Sequence, residues 1–348
     1  MRIAPLYLLI FVLAFLFQGC GNNNNKKTNR DMETSQPAPE DTSGIWLGKK
    51  IGGQTSGSSA QIKPVIDLSR IKKGIASAQR GEYQEAVKEF NLAIREDSLN
   101  PHFYYYRAEA FMNLQQYDKT WADIRKIERL DPEIKGFHAL KGRYHNAVKQ
   151  YYDAYHEFRI ALQSEPGDAL LWDSKGAACM NTMRLEEAGE AFDKALELDP
   201  NLASAYYNRG LWHANSNDFE KAVADISESI RLNPGNSQAF INLGNSYFML
   251  KQYDNAAVNY RKALELNPDT WLAYNGLGST YKAKNENKKA IQHYTRAIDL
   301  NPEARDAVYN RGLAKYADND LAGACSDWQK ALSMGVSPAQ KWLDMYCK

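Results

Sequence analysis

The sequence lacks an excess of charge, and it lacks the short motifs that mark common enzyme classes. Its 43 lysines and arginines nearly balance its 42 aspartates and glutamates, leaving a formal charge of +1, which excludes a protein-wide basic surface for nucleic acid. No H-E-x-x-H, C-x-x-C, G-x-x-x-x-G-K, G-x-S-x-G or dinucleotide-binding pattern is present, and the six histidines are scattered. These absences predict a protein that is not an enzyme and holds no metal or cofactor.

Long apolar runs are also absent, except for one at the amino terminus. After the single charge of Arg2, an apolar run of about a dozen residues ends at Phe17 and is followed by Gln18, Gly19 and Cys20. This is the length of a signal-peptide core and too short for a membrane span. This ending resembles a bacterial lipobox. The resemblance implies lipid transfer to the Cys20 thiol and removal of residues 1–19. An ordinary secretory leader, or an uncleaved anchor with an incidental Cys20, is the alternative interpretation.

The segment that follows is polar and irregular. Residues 20–66 are rich in Asn, Gly, Ser, Thr, Gln and Pro without hydrophobic periodicity, which predicts a flexible tether. A lone apolar stretch at 44–48 is either a short docking segment or packs on the first repeat. A lipid on Cys20 would anchor the chain to the bacterial envelope, and the absence of Asp after Cys20 favours the outer membrane, with the body facing the periplasm.

The rest of the chain is dominated by a 34-residue period. Prolines recur at this spacing: Pro132, Pro166, Pro200, Pro234, Pro268 and Pro302. Numbering each repeat from 1, starting at residue 67, places a very small residue at position 8: Gly74, Ala108, Gly142, Gly176, Gly210, Gly244, Gly278 and Gly312. Position 20 is alanine or threonine, position 24 is a large apolar residue, and position 27 is mostly alanine.

This pattern resembles the tetratricopeptide repeat. The resemblance implies an all-α, right-handed α-solenoid of eight helix-turn-helix repeats, in which small residues let paired helices approach and proline ends the second helix. The predicted repeats are 67–100, 101–134, 135–168, 169–202, 203–236, 237–270, 271–304 and 305–338. Residues 339–348 are predicted to form a capping helix, because the last hairpin would otherwise leave an apolar face open.

Charged residues recur with the same 34-residue period. Position 7 is basic in six repeats, and position 23, sixteen residues later, is acidic in five of them. The matched residues are Lys73 with Glu89, Arg107 with Asp123, Lys141 with Glu157, Arg209 with Asp225, and Arg311 with Asp327. The two repeats with leucine at position 7 have a neutral residue at position 23. An anion-binding row of basic side chains is one interpretation, and the matched acids favour ion pairs within each helix pair.

The family resemblance also implies a groove lined by the first helix of each repeat. Asparagine amides both donate and accept hydrogen bonds and can hold a peptide backbone, although asparagine is also a common polar filler in such repeats. The predicted groove residues are Tyr105, Tyr207, Asn208, Asn242, Asn245, Tyr309 and Asn310. Tyr106 is placed in the groove as well, whereas Phe103 and Tyr104 are predicted to be core.

One known groove chemistry does not match. Relatives that bind chaperones use a lysine–asparagine clamp for an acidic carboxyl terminus. Asn245 stands at a matching position, but Ile241, Gly276 and Asp306 occupy the others. Chaperone binding is therefore disfavoured.

Three cysteines remain after Cys20. Cys179 falls at a position expected to be buried, and we predict an inert core thiol. Cys325 and Cys347 lie 22 residues apart, on the last repeat and the cap. An oxidising compartment would permit a disulfide between them that holds the cap in place; two free thiols are the alternative.

Taken together, these features predict a membrane-anchored, non-catalytic scaffold or adaptor. It would bind a protein or an extended peptide through the groove and act in the assembly of an envelope complex. The alternative is a lipoprotein that captures a glycan or peptide for uptake, which would use aromatic groove residues such as Tyr105, Tyr207, Tyr309 and Tyr316.

Overall fold

The computed structural model describes residues 69–348, and within this range the regular elements are seventeen α-helices without strands. The predicted leader, Cys20, the tether and the first two residues of the first predicted repeat lie outside the described residues. In chain order the helices are α1 Ser69–Gln79, α2 Tyr83–Glu96, α3 Pro101–Asn113, α4 Tyr117–Leu130, α5 Phe137–Ala147, α6 Tyr151–Ser164, α7 Ala169–Asn181, α8 Leu185–Leu198, α9 Ala203–Asn215, α10 Phe219–Leu232, α11 Ser237–Met249, α12 Tyr253–Leu266, α13 Trp271–Ala283, α14 Asn287–Leu300, α15 Arg305–Ala317, α16 Leu321–Ser333 and α17 Pro338–Tyr346.

The turn between the two helices of each pair uses one residue in the left-handed backbone region. That residue always stands at position 15: Gly81, Gln115, Lys149, Met183, Asn217, Lys251, Asn285 and Asn319. The following N–H bonds back to a carbonyl five residues earlier, as from Arg184 to Cys179 at 2.9 Å, which closes the first helix. Seven of these turns bear a side chain in a conformation that costs roughly 1 kcal/mol, so helix packing must offset the cost.

The described residues divide into two compact units, residues 69–140 and residues 141–348, which we call the amino-terminal and carboxyl-terminal units. In the amino-terminal unit, α1 packs on α2 and α3 packs on α4, while α2 also contacts α3. A β-carbon added to Gly74 of α1 would lie within 2.4 Å of the Phe90 ring on α2. The glycine therefore permits the close approach of these two helices.

In the carboxyl-terminal unit the helix pairs stack as an α-solenoid. From α8 onward, each second helix packs against the first helix of its own pair and against the first helix of the next pair. Consecutive first helices, α7, α9, α11, α13 and α15, also contact one another. Each inner member of this row is thus packed against four helices, and one long face of the row is covered by no second helix. We call it the inner face.

Large side chains at position 24 of the second helices join neighbouring pairs. Tyr260 of α12 is 2% exposed, and its ring lies against Gly244 of its own pair and Gly276 of the next pair. Phe192, Ile226, Tyr294 and Trp328 are buried at the same position. These side chains form the apolar centre of the stack.

The last helix, α17, closes the carboxyl-terminal unit. Trp342 stacks on Trp328 at a ring separation of 5.1 Å, and its Nε1 donates a hydrogen bond to the Tyr309 hydroxyl at 3.1 Å. Cys325 and Cys347 form a disulfide, with their Cα atoms 5.7 Å apart. It ties α16 to the residue that follows α17. Cys179 is a free, fully buried thiol, as predicted, and burial raises its pKa to about 11.

We predict that the disulfide holds α17 in place. Treatment of the native protein with iodoacetamide should leave Cys325 and Cys347 unlabelled, and their tryptic peptides should remain linked until a reductant is added. Reduction should destabilise the cap by about 3 kcal/mol, as expected for a loop of this length, seen as faster amide exchange in α17. Labelling of both thiols without reductant would contradict the bond.

Candidate functional site

The inner face is the surface where predicted groove residues gather in the carboxyl-terminal unit, and α13 shows how it is oriented. Gly276 faces Tyr260 on the preceding second helix, and Gly278 faces Tyr294 on its own. Leu277, between them, is 1% exposed. Side chains three and four residues apart share one side of a helix, so Asn275, Ser279 and Lys282 form a row opposite Leu277, on the inner face.

Two predicted groove asparagines are used to link neighbouring first helices. Asn208 donates its amide hydrogen to Asp173 at 2.8 Å, and Asn242 donates to the Tyr207 hydroxyl at 2.7 Å. In both cases the partner lies 35 residues earlier, at position 5 of the preceding first helix. We call such a bond a rung. Asn242 is only 2% exposed, so its side chain stabilises the stack and is largely withdrawn from a partner.

The acceptor of the first rung is a buried carboxylate. Burial raises the pKa of Asp173, and hydrogen bonds from Asn208 and Ser204 oppose that shift by stabilising the charged form. The Asn208 amide therefore compensates an internal charge. Sequence reasoning placed Asn208 in the groove and missed Asp173.

Asn245, another predicted groove residue, is also engaged internally. It accepts a hydrogen bond from the Tyr260 hydroxyl at 2.7 Å, and Ser279 accepts one from Tyr294 at 3.0 Å in the next pair. Tyrosine at position 24 thus extends through the core and ends on the inner face at position 9. The ring joins two helix pairs, and the hydroxyl sets the orientation of an inner-face side chain.

The rung pattern ends at α13. Gly276 and Ile241 occupy the two rung positions between α11 and α13 and have no polar side chains. Between α13 and α15 the rung positions hold Asn275 and Asn310, yet the Asn275 Oδ1 is buried without a hydrogen-bond partner. The Oδ1 of Asp306 is likewise buried without a partner, and burial raises its pKa. This part of the inner face holds polar atoms that the stack does not use.

The aromatic groove residues make contacts of their own. Tyr309 accepts the hydrogen bond from Trp342, and Tyr316 lies 4.8 Å from Tyr346 and 5.6 Å from Trp342, measured between ring centroids. The cap therefore covers part of the aromatic surface that glycan capture would need.

In the amino-terminal unit, the predicted division of the tyrosine run is confirmed for its core members. Phe103 and Tyr104 are buried, whereas Tyr105 and Tyr106 are half-buried. Tyr106 stacks on Phe90 at 5.9 Å, and Tyr105 contacts Tyr106 edge-on. Tyr105 belongs to the amino-terminal unit, and its place in a groove stays a prediction.

All five predicted ion pairs are confirmed. Lys73 bonds to Glu89, and Lys141 lies 2.9 Å from Glu157. Each arginine makes a bidentate pair, with N–O distances between 2.5 and 2.9 Å: Arg107 with Asp123, Arg209 with Asp225, and Arg311 with Asp327. Five of the six basic side chains are therefore neutralised within their helix pairs, which supports ion pairs over an anion-binding row. The sixth, Lys175, has Ala191 at position 23, and its ammonium lies 5.0 Å from the centroid of the Trp172 ring.

The arginines also reach a third helix, which sequence reasoning missed. Their remaining nitrogen donates to position 25 of the preceding second helix, sixteen residues earlier: Arg107 to Asn91, Arg209 to Asp193, and Arg311 to Thr295. The sequence does carry a signal for this contact. In the repeat that precedes each of these arginines, position 25 holds a side chain that can accept a hydrogen bond. In the repeats that precede Lys141 and Lys175, position 25 holds Arg125 and Arg159, which cannot accept one.

Residues 69–348 contain neither a metal-binding cluster of side chains nor a helix that could span a membrane. No group of three or more His, Cys, Asp or Glu side chains within this range is arranged to hold a metal ion. Every helix in the same range is too short or too polar to span a bilayer.

Family models and known proteins agree with this architecture. Tetratricopeptide-repeat models match residues 71–132, 184–216, 203–236, 237–270 and 278–319, which together are more than half of the chain. Two curated relatives are the cell division cycle protein 27 homolog A of Arabidopsis thaliana, 30% identical over 106 residues, and the Hsp70-Hsp90 organizing protein of Triticum aestivum, 28% identical over 102 residues. The matches cover 30% and 29% of this chain and only 15% and 18% of those proteins.

Solved structures show the same fold. The Cut9 and Hcn1 hetero-tetramer of the APC/C aligns with a TM-score of 0.62 at 15% identity, covering 82% of this chain and 57% of that chain. A tetratricopeptide repeat protein from Parabacteroides merdae aligns with a TM-score of 0.54 at 17% identity, covering 71% and 99%. At these identities the likeness concerns the fold alone.

Proposed function

The chain belongs to the tetratricopeptide-repeat family, and from that premise we propose that it is a non-catalytic scaffold that binds protein partners on its inner face. The observation that carries this proposal is the set of buried, unpartnered oxygens of Asn275 and Asp306 on neighbouring first helices. A polar group that is buried without a hydrogen bond costs about 1–3 kcal/mol. A partner that supplies N–H donors at this surface would remove that cost.

We also propose that the scaffold is attached to the bacterial envelope by a lipid on Cys20. The apolar run followed by Gly19 and Cys20 supports this attachment, and Gly21 in place of Asp supports the outer membrane. A flexible tether of residues 20–66 would let the folded body move about 35–40 Å from the membrane, from the root-mean-square length of such a chain. The body would face the periplasm and help to assemble an envelope complex.

The binding proposal is tested by affinity capture of the tagged full chain from crosslinked native membranes, with untagged membranes as the control. We expect one or more proteins at near-stoichiometric amounts. Recovery of no protein, together with a rise in melting temperature on adding sugars, would contradict the scaffold and favour glycan capture. Captured proteins whose yield is unchanged after denaturation of the bait would also count against specific binding.

Lipid attachment predicts a sharp effect of Cys20→Ala. The wild-type chain should incorporate a clickable palmitate analogue and sediment with membranes, whereas Cys20→Ala should incorporate none and should not reach its mature mass. Cys179→Ala is the matched control, because that thiol is buried in the folded body. Equal labelling of the wild type and Cys20→Ala would contradict the anchor.

A further inference from the structure

Lys282 is a half-buried cation that the fold leaves without a partner. It lies on the inner-face side of α13, and its ammonium forms no hydrogen bond or ion pair within residues 69–348. Burial lowers its pKa to about 8, so the ammonium is still mostly charged at neutral pH. The contrast with Arg107, Arg209 and Arg311 is clear, because each of these half-buried cations is paired with an aspartate.

Unused hydrogen-bonding atoms lie on the same side of α13 as this lysine and on the neighbouring helix α15. Asn275 is 7% exposed, and its Oδ1 has no partner. It is seven residues before Lys282 on the same side of α13, or about 10 Å along the helix axis. Asp306 and Asn310 share one side of α15, being four residues apart, and α15 contacts α13. We call these four residues the α13–α15 patch.

The patch costs stability in the free protein. A charge held in a half-buried place without a counter-ion and a buried amide oxygen without a donor are both unfavourable. Such violations of otherwise consistent packing are expected where a ligand completes the structure. The other rungs show that the same two positions can be satisfied internally, as they are between Asn208 and Asp173.

We propose that the α13–α15 patch binds an extended peptide segment of a protein partner and that an Asp or Glu side chain of that segment pairs with Lys282. This inference rests on the proposed scaffold function. The Oδ1 atoms of Asn275 and Asp306 would accept hydrogen bonds from peptide N–H groups, and the Asn310 amide would donate to a peptide carbonyl. The 10 Å between Asn275 and Lys282 corresponds to about three residues of extended chain.

The formal charges of Lys282 and Asp306 cancel within the patch, so the preference for an acidic side chain comes from the unpaired ammonium of Lys282 and applies to the end of the patch where that lysine lies. A basic side chain at this place would add a second cation beside Lys282. A single lysine provides far less than the six to ten phosphate contacts typical of proteins that bind nucleic acid. A carboxylate neutralises the ammonium with one charge-assisted hydrogen bond, which is the strong kind.

The test is selection of random decapeptides with amidated carboxyl termini on the full chain, followed by affinity measurement of the enriched peptides by fluorescence anisotropy. We expect Asp or Glu to be enriched at one position. Lys282→Met keeps the apolar stem and removes the charge. It should lower the affinity for the enriched peptides about tenfold or more, as expected for the loss of a hydrogen bond to a charged group. Lys284→Met is the matched control, because Lys284 pairs with Asp254 at 2.6 Å, and it should change affinity less than twofold.

A second readout separates binding from a structural role. Lys282→Met and Asn275→Ala should leave the melting temperature unchanged or raised, since each removes an uncompensated polar group, while both reduce peptide affinity. The inference is overturned if no peptide is enriched, if enriched peptides lack Asp and Glu, or if Lys282→Met binds as well as the wild type. Equal capture of envelope proteins by the wild type and Lys282→Met would overturn this inference and leave the scaffold intact, whereas capture by neither would overturn both.

Discussion

Replacing Arg209 with leucine is expected to lower the free energy of unfolding by about 2–3 kcal/mol. The guanidinium pairs with Asp225 through two hydrogen bonds of 2.7 and 2.8 Å, and the side chains of Arg209 and Asp225 are 23% and 10% exposed. Breaking a fully buried pair costs about 3–5 kcal/mol because a charge is left uncompensated, and the remaining exposure reduces that cost. His213 lies 3.7 Å from Asp225, but burial lowers the pKa of His213, so it is mostly neutral at pH 7.

The chain itself supplies the compensating change. Where position 7 is Leu243, position 23 is Asn259, and no charge needs a partner. Adding Asp225→Asn to Arg209→Leu copies that combination and should recover at least about 1 kcal/mol, within the range found for contacting residues. Urea unfolding of the wild type, both single variants and the double variant measures this coupling.

A matched exposed pair serves as the control. Arg231 and Glu228 form a surface pair at 2.7 Å, and Arg231→Leu should leave the urea midpoint of unfolding almost unchanged, because solvent screens an exposed pair. Additive effects of Arg209→Leu and Asp225→Asn would show that the bidentate contact contributes nothing specific. A loss as small as that of Arg231→Leu would show that solvent screens the pair.

The packing within each helix pair could be predicted from the sequence. Small residues at positions 8 and 20, and large residues at position 24, predicted which side chains are buried, because close helix packing leaves few alternatives. Ala256, Tyr260 and Ala263 are all core residues. The ion pairs were predictable for a similar reason, since the two residues belong to one antiparallel hairpin with an invariant turn. The sequence of one repeat is therefore enough to predict the contacts between its two helices.

The inner face was harder to predict because its contacts join different repeats. The hydrogen-bond partner of Asn242 is Tyr207, which is 35 residues away in the preceding repeat. The sequence does carry a signal for these bonds. Wherever position 6 is asparagine, position 5 of the preceding repeat is polar: Asp173, Tyr207 or Asn275. Where position 6 is Gly276, position 5 of the preceding repeat is the apolar Ile241. That signal predicts a rung for Asn310 as well. It could not reveal that Asn275 keeps its oxygen unpaired, because this depends on the spacing between α13 and α15.

Replacing Tyr260 with alanine is expected to lower the free energy of unfolding by about 3–5 kcal/mol, the usual cost of removing a buried aromatic ring. The ring lies between Gly244 and Gly276, where a β-carbon on either glycine would lie within 2.8 Å of it. Neither glycine has a side chain that could fill the space. The stack should therefore lose the contact that joins α11 and α12 to α13.

Because each repeat of such a stack contacts only its neighbours, the loss should be local as well as large. Amide exchange measured by mass spectrometry should accelerate in α11, α12 and α13, and urea unfolding should become less cooperative as the two sides of the break separate. Tyr260→Phe is the control for the ring, since it removes only the hydrogen bond to Asn245 and should cost about 1 kcal/mol. Val258→Ala, at a site on the same helix that is 51% exposed, should change stability by no more than about 0.5 kcal/mol.

The pattern of exchange distinguishes a joining residue from an ordinary core residue. If Tyr260 only filled space within its own pair, Tyr260→Ala would accelerate exchange in α11 and α12 and leave α13 protected. Protection of α13 in Tyr260→Ala would therefore contradict the role assigned to the ring against Gly276. If Tyr260→Ala and Tyr260→Phe lowered the free energy of unfolding by the same amount, the hydroxyl and not the ring would be the stabilising group. The packing of one aromatic side chain against glycines of two successive first helices leads us to expect neither result.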